Sequence, residues 1–69
     1  MKLRFIFIGF GKKEEELEIG IVMRYSDILE KILKINPETV ILLKNSTPVP
    51  IDEFAEEGEI TVIRVISGG

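Results

Sequence analysis

A chain of 69 residues that contains neither cysteine nor histidine has to hold itself together by packing alone. At this length the buried core is thin, and small domains usually reinforce it with disulfides or a structural metal. Both are closed off here, because the thiols and imidazoles that would form them are missing. The chain is correspondingly rich in Ile, Leu, Val and Phe, so one small, tightly packed domain is expected. The same absence limits chemistry. No thioester or persulfide can form on this chain's own side chains, so acyl or sulfur chemistry has to use its carboxyl terminus or a partner's cysteine.

The hydrophobic pattern sets out the elements. Lys2 to Phe10 alternates as a strand, with Leu3, Phe5 and Phe7 on one face and Lys2, Arg4, Ile6 and Ile8 on the other. Gly9-Phe10-Gly11-Lys12-Lys13 supplies turn chemistry, and Glu14-Glu15-Glu16 reads as its solvated continuation. Leu17 to Ile21 alternates again and closes a hairpin onto the same core. A helix follows, with Ser26 as expected N-cap and Asp27 at the positive end of the dipole. Its apolar stripe is Ile28, Leu29, Ile32, Leu33 and Ile35, and Asn36-Pro37 stops it. Thr39 to Lys44 reads as a third strand. Pro48-Val49-Pro50-Ile51 reads as a short edge strand, because two prolines cannot both donate within a central ladder. Asp52-Glu53-Phe54 is expected to form a brief helical turn pinned by Phe54, before a turn at Glu56 to Glu59 and a last strand from Ile60 to Ile66.

Strand, strand, helix, strand, short strand, strand is an α+β order. The helix should cross one face of a mixed sheet of four or five strands, with the strongly apolar first and last strands parallel in its centre. That is the ubiquitin-like β-grasp arrangement. The domain spans residues 1–66, and 67–69 leave it as a flexible tail.

Most functional classes find no support. The net charge of −3 offers nothing for a phosphate backbone, and the single basic pair Lys12-Lys13 runs into three glutamates, so direct nucleic-acid binding is not expected. No apolar run approaches the ~20 residues that span a bilayer. Met1-Lys2 opens a strand rather than a secretory leader, so a cytoplasmic protein is expected. Ser26, Ser46 and Ser67 have no evident base, so no catalytic residue, metal ligand or resident cofactor is assigned. Gly9-Phe10-Gly11 leads into a strand rather than a helix N-terminus, which disqualifies it as a phosphate loop.

The tail is another matter. Gly68-Gly69 closes the sequence directly after a strand of buried type. At a glycine usage of ~7%, chance gives such a pair in roughly one chain in two hundred. Glycine next to a terminal carboxylate lets the backbone thread a narrow channel and leaves the acyl carbon open to attack.

Three stretches carry a family resemblance that runs from end to end of the chain. They are Leu42-Leu43-Lys44-Asn45-Ser46-Thr47-Pro48-Val49-Pro50, Glu57-Gly58-Glu59-Ile60 and Val65-Ile66-Ser67-Gly68-Gly69. In these the chain resembles the ThiS-type and MoaD-type sulfur carriers, prokaryotic relatives of ubiquitin; Ser46 stands where many relatives carry glycine. The resemblance implies that an ATP-dependent activating enzyme of the ThiF or MoeB kind adenylates the Gly69 carboxylate. A sulfur-donor protein then turns it into a thiocarboxylate, which a downstream synthase uses for thiamine thiazole, molybdopterin or tRNA thiolation. Related archaeal proteins are modifiers whose glycine is joined to lysines of other proteins, and that outcome stays open. So does a non-covalent β-grasp interaction module, which would have no need of a bare diglycine.

Partner recognition is expected on the sheet face away from the helix. Ile6, Ile8, Ile63 and Val65 point there, with Leu43 or Ile41 added from the third strand, and an apolar patch of that kind usually marks a binding site. Arg64, near the tail, is a candidate to meet an acidic groove of the activating enzyme.

Overall fold

The computed structural model describes residues 1–65. Five strands form one mixed sheet: β1 (Lys2–Ile8), β2 (Glu14–Glu18), β3 (Val40–Lys44), β4 (Thr47–Val49) and β5 (Gly58–Arg64), in the order β2-β1-β5-β3-β4. β1 and β5 run parallel at the centre, and every other pairing is antiparallel. A helical segment, α1 (Tyr25–Asp27) continued by wider π turns over Ile28–Ile32, lies between the two halves. The fold is the ubiquitin-like β-grasp.

Alternation in β1 and β5 decides which face is buried. Leu3, Phe5, Phe7, Ile60 and Val62 point inward beside Leu42 and meet Ile28, Leu29 and Leu33 of the helical segment. Side chains two apart on a strand share a face. The inward set is therefore the one that the period-two pattern names. Tyr25, which that pattern passes over, is buried in the same core, and its hydroxyl accepts a hydrogen bond from the Glu56 N–H at 3.2 Å.

The helix starts and stops differently from the sequence expectation. Ser26 is not its cap: the N-cap residue is Arg24, with no side-chain capping bond. The first-turn donors go instead to a distant loop, Tyr25 N–H to the Glu53 carbonyl at 3.0 Å and Ser26 N–H to the Ile51 carbonyl at 2.8 Å. These bonds satisfy groups that a helix start leaves unpaired. At the other end Leu33 N–H reaches back five residues to the Ile28 carbonyl, and Lys34 takes a left-handed φ of 59°. The segment therefore ends before Asn36-Pro37, and the wider turns swing Ile32 out to 40% exposure instead of leaving it in the apolar stripe. Asn36 caps the short 3-10 turn Pro37–Thr39 instead, its side chain accepting from the Glu38 N–H.

Several strand boundaries also move. β1 ends at Ile8, where Gly9 turns the chain with φ 89°. The three glutamates expected in a turn form the body of β2, with Leu3 opposite Leu17 and Phe5 opposite Glu15. β2 is an edge strand, so Glu14, Glu16 and Glu18 keep their carboxylates in water. Ile19 is buried beyond the strand end, but Ile21, expected on the core face of that strand, lies outside it and is exposed. The edge strand of the prolines is Thr47–Val49, not 48–51, and β5 begins at Gly58 rather than Ile60. Phe54 does not pin a helical turn. It is half-exposed, pairs by a single β-bridge with Arg24 and carries that residue's guanidinium over its ring at 4.3 Å.

Candidate functional site

The sheet face away from the helix is organised in rows, because paired residues on neighbouring strands point the same way. One row crosses three strands as Ile8, Ile63 and Ile41. The next crosses five as Glu14, Ile6, Thr61, Leu43 and Pro48. A third sets Arg4 between Glu16 and Glu59. The face is thus apolar at the end where β5 leaves the sheet and charged at the end where β5 enters it.

Of the residues expected here, Ile6, Ile8, Leu43 and Ile63 share this surface. Ile8 is exposed, while Ile6, Leu43 and Ile63 are half-covered by their neighbours in the rows. Val65 follows β5, is 41% exposed, and is tied by its N–H to the Thr39 carbonyl at 2.8 Å. Ile41 joins at 46% exposure, so the third strand contributes both of the residues between which the sequence left a choice. Pro48 completes the second row; the two-residue turn Asn45-Ser46, which sets Lys44 opposite Thr47 and Leu43 opposite Pro48, was the signal for it.

Arg64 stands apart from these residues. Its parity is that of Ile60 and Val62, so it emerges at the sheet end on the helix side, its guanidinium 5.9 Å from the centre of the Phe10 ring. Ser67, Gly68 and Gly69 lie outside the described residues.

Arg4 is held by carboxylates of its own row and of the row beside it. Arg4 Nε donates to Glu14 Oε2 at 3.2 Å, and its guanidinium stands 3.9 Å from Glu59. The hydrogen bond to Glu14, and then that carboxylate's charge, raise the Arg4 pKa above its ordinary value. Among the described residues the Tyr25 hydroxyl, already bonded to the Glu56 N–H, is the one polar group carried by a buried side chain.

Comparison with known proteins gives the chain its lineage. Residues 1–66 match the family of small archaeal modifier protein 2. The chain belongs to that family. A protein of Archaeoglobus fulgidus, described as an uncharacterized protein, is 56% identical to it over 69 residues, covering the whole of both chains. The archaeal modifier family consists of small ubiquitin-like proteins that serve as modifiers or sulfur carriers, are not themselves enzymes and interact with E1-like activating enzymes. The match places the chain among these modifiers rather than specifically with the ThiS or MoaD carriers. It leaves Ser67, Gly68 and Gly69 beyond its limit.

Proposed function

We propose that an E1-like enzyme activates this chain at the Gly69 carboxylate and that the chain then works as a sulfur carrier in the cytoplasm. The carboxylate attacks the α-phosphorus of ATP, and pyrophosphate leaves. A sulfide-level sulfur from a donor protein attacks the resulting acyl carbon, AMP leaves, and Gly69 ends as a thiocarboxylate. A downstream synthase of the thiazole, molybdopterin or tRNA-thiolation type consumes that sulfur.

The observation that carries this reading is the direction of β5. It delivers the chain out of the sheet at the apolar end of the outer face, beside Ile8, Ile41 and Ile63, three residues before Ser67. A partner that covers those isoleucines has residues 67–69 within reach. In this reading residues 1–66 are the folded handle and Ser67-Gly68-Gly69 the reacting arm, in which missing side chains give access.

The family match favours a second product from the same activated acyl group, an isopeptide bond between Gly69 and a lysine of another protein. The chemistry differs only in the nucleophile. Intact-mass analysis of the chain isolated from its own cells separates the two. A carrier shows the mass change of one oxygen-to-sulfur exchange on a chain ending at Gly69, whereas a modifier leaves a Gly-Gly remnant on lysines of other proteins after digestion. A non-covalent module shows neither, and it keeps its function when Gly68 and Gly69 are deleted.

A further inference from the structure

Around the corner from the apolar rows, at the end where β5 leaves the sheet, lies a cleft of about 470 Å³ whose lining includes Phe10, Lys34, Asn36, Thr39, Arg64 and Val65. It contains two cations and no carboxylate, in a chain whose formal net charge is −3. Neither Lys34 nor Arg64 forms an ion pair with another described residue.

Each donor is set in place by the backbone that carries it. Lys34 sits at the left-handed residue, φ 59°, that ends the helical segment. The Asn36 Oδ1 accepts the Glu38 N–H at 3.0 Å; only the oxygen of an amide can do so, so its Nδ2 is left as a donor. The Arg64 stem passes against Gly9, where an added Cβ would lie 3.1 Å from the Arg64 Cβ. Its guanidinium faces the ring of Phe10, which is itself held edge-on to Phe7 at 5.4 Å. A guanidinium from the end of β5 and an ammonium and an amide N–H₂ from the connection after the helical segment make a donor set suited to an oxyanion.

We infer that this cleft receives a carboxylate side chain of the activating enzyme, beside the end of β5. The inference rests on the activation reading above and names a second point of contact for the same partner. Val65 lines the cleft and follows the outer-face rows, so a surface that covers Ile41 and Ile63 continues into it. Chain length argues for a protein carboxylate over a nucleotide phosphate. Four residues drawn out from Val65 carry Gly69 as much as about 14 Å away, so phosphate at the end of a threaded tail stands off from Arg64. Exposed cations hold a free anion weakly, whereas a carboxylate presented on a docked surface binds with its freedom already lost.

The test is adenylation of the full chain by the E1-like enzyme of the same organism, with chain concentration and sodium chloride varied. The Lys34→Glu/Arg64→Glu double variant should raise the half-saturating concentration about tenfold or more and leave the limiting rate unchanged. The salt dependence of the natural chain should flatten in the variant. Lys34→Arg/Arg64→Lys should retain natural behaviour. The milder Lys34→Gln/Arg64→Gln serves if thermal melting shows that charge reversal unfolds the chain. A double variant within twofold of the natural chain at low salt overturns the inference, as does a fall in limiting rate at unchanged half-saturation. If the natural chain is not adenylated at all, the activation reading falls instead, and nitrogen-15 NMR titration with sodium succinate and sodium phosphate at constant ionic strength judges the cleft. Saturable shifts of the Arg64 Nε–H and Asn36 Nδ2 signals with succinate in the natural chain, the Asn36 shift being lost in the double variant, support a carboxylate receptor. Shifts with phosphate alone overturn it, as does the absence of any shift at the high succinate concentrations that weak binding to exposed cations calls for.

Discussion

Gly9 and Gly11 occupy one turn and look interchangeable in sequence, yet the structure assigns them opposite sensitivities to Ala. Gly9 has φ 89°, and a Cβ built there would stand 3.1 Å from the Cβ of Arg64, an atom fixed by β5 rather than the far end of a flexible side chain. Holding an L-residue at positive φ costs about 1–2 kcal/mol. Relieving the contact adds roughly 1 kcal/mol, at the low end of what overpacking costs. Gly9→Ala should therefore lose about 2–3 kcal/mol. A 69-residue domain has a total stability of roughly 3–10 kcal/mol. At about 4–8 °C per kcal/mol for a domain of this size, the melting midpoint should fall by some 10–20 °C. Gly11 does not have a positive φ, and nothing lies within 4 Å of its added Cβ. Gly11→Ala should be neutral or slightly stabilising, through a less flexible unfolded chain. Thermal and urea melts followed by circular dichroism read both variants. A Gly9→Ala midpoint within about 3 °C of the natural protein, or an equal fall in Gly11→Ala, would refute the reasoning.

Tyr25→Phe removes the only side-chain partner of the Glu56 N–H among the described residues, so stability should drop by about 1 kcal/mol and exchange of the Glu56 amide hydrogen should quicken. Leu42 and Ile41 are neighbours on β3 that face opposite ways. Leu42→Ala should cost about 2–5 kcal/mol by opening a cavity in the core, whereas Ile41→Ala should barely shift the denaturation midpoint while weakening capture by the activating enzyme. Deleting Gly68 and Gly69 should abolish adenylation, read by pyrophosphate release, without moving the melting temperature.

The outer face was legible because parity along a strand is a backbone property. Once Leu3, Phe5 and Phe7 are assigned inward, Ile6 and Ile8 must point outward, whatever the rest of the chain does. The cleft was not legible. It joins Phe10, Asn36 and Arg64, which are far apart in sequence, and it depends on Lys34 taking a left-handed conformation that no local pattern requires. The glutamates of β2 misled for a related reason. Three adjacent carboxylates suit a solvated turn by composition, but on an edge strand they keep their solvation while the backbone pairs with β1.

Read without its fold, the sequence already determined a core held by packing without cysteine, the α+β order and the two faces of the central strands, since each follows from composition or from a hydrophobic periodicity. Tertiary structure alone decided where the helical segment begins and ends and that Tyr25 enters the core. The physical reason is where the partners come from. Tyr25 and Ser26 give their N–H groups to Glu53 and Ile51, more than twenty residues along the chain, and a hydrogen bond of that kind exists only after the sheet has brought its ends together.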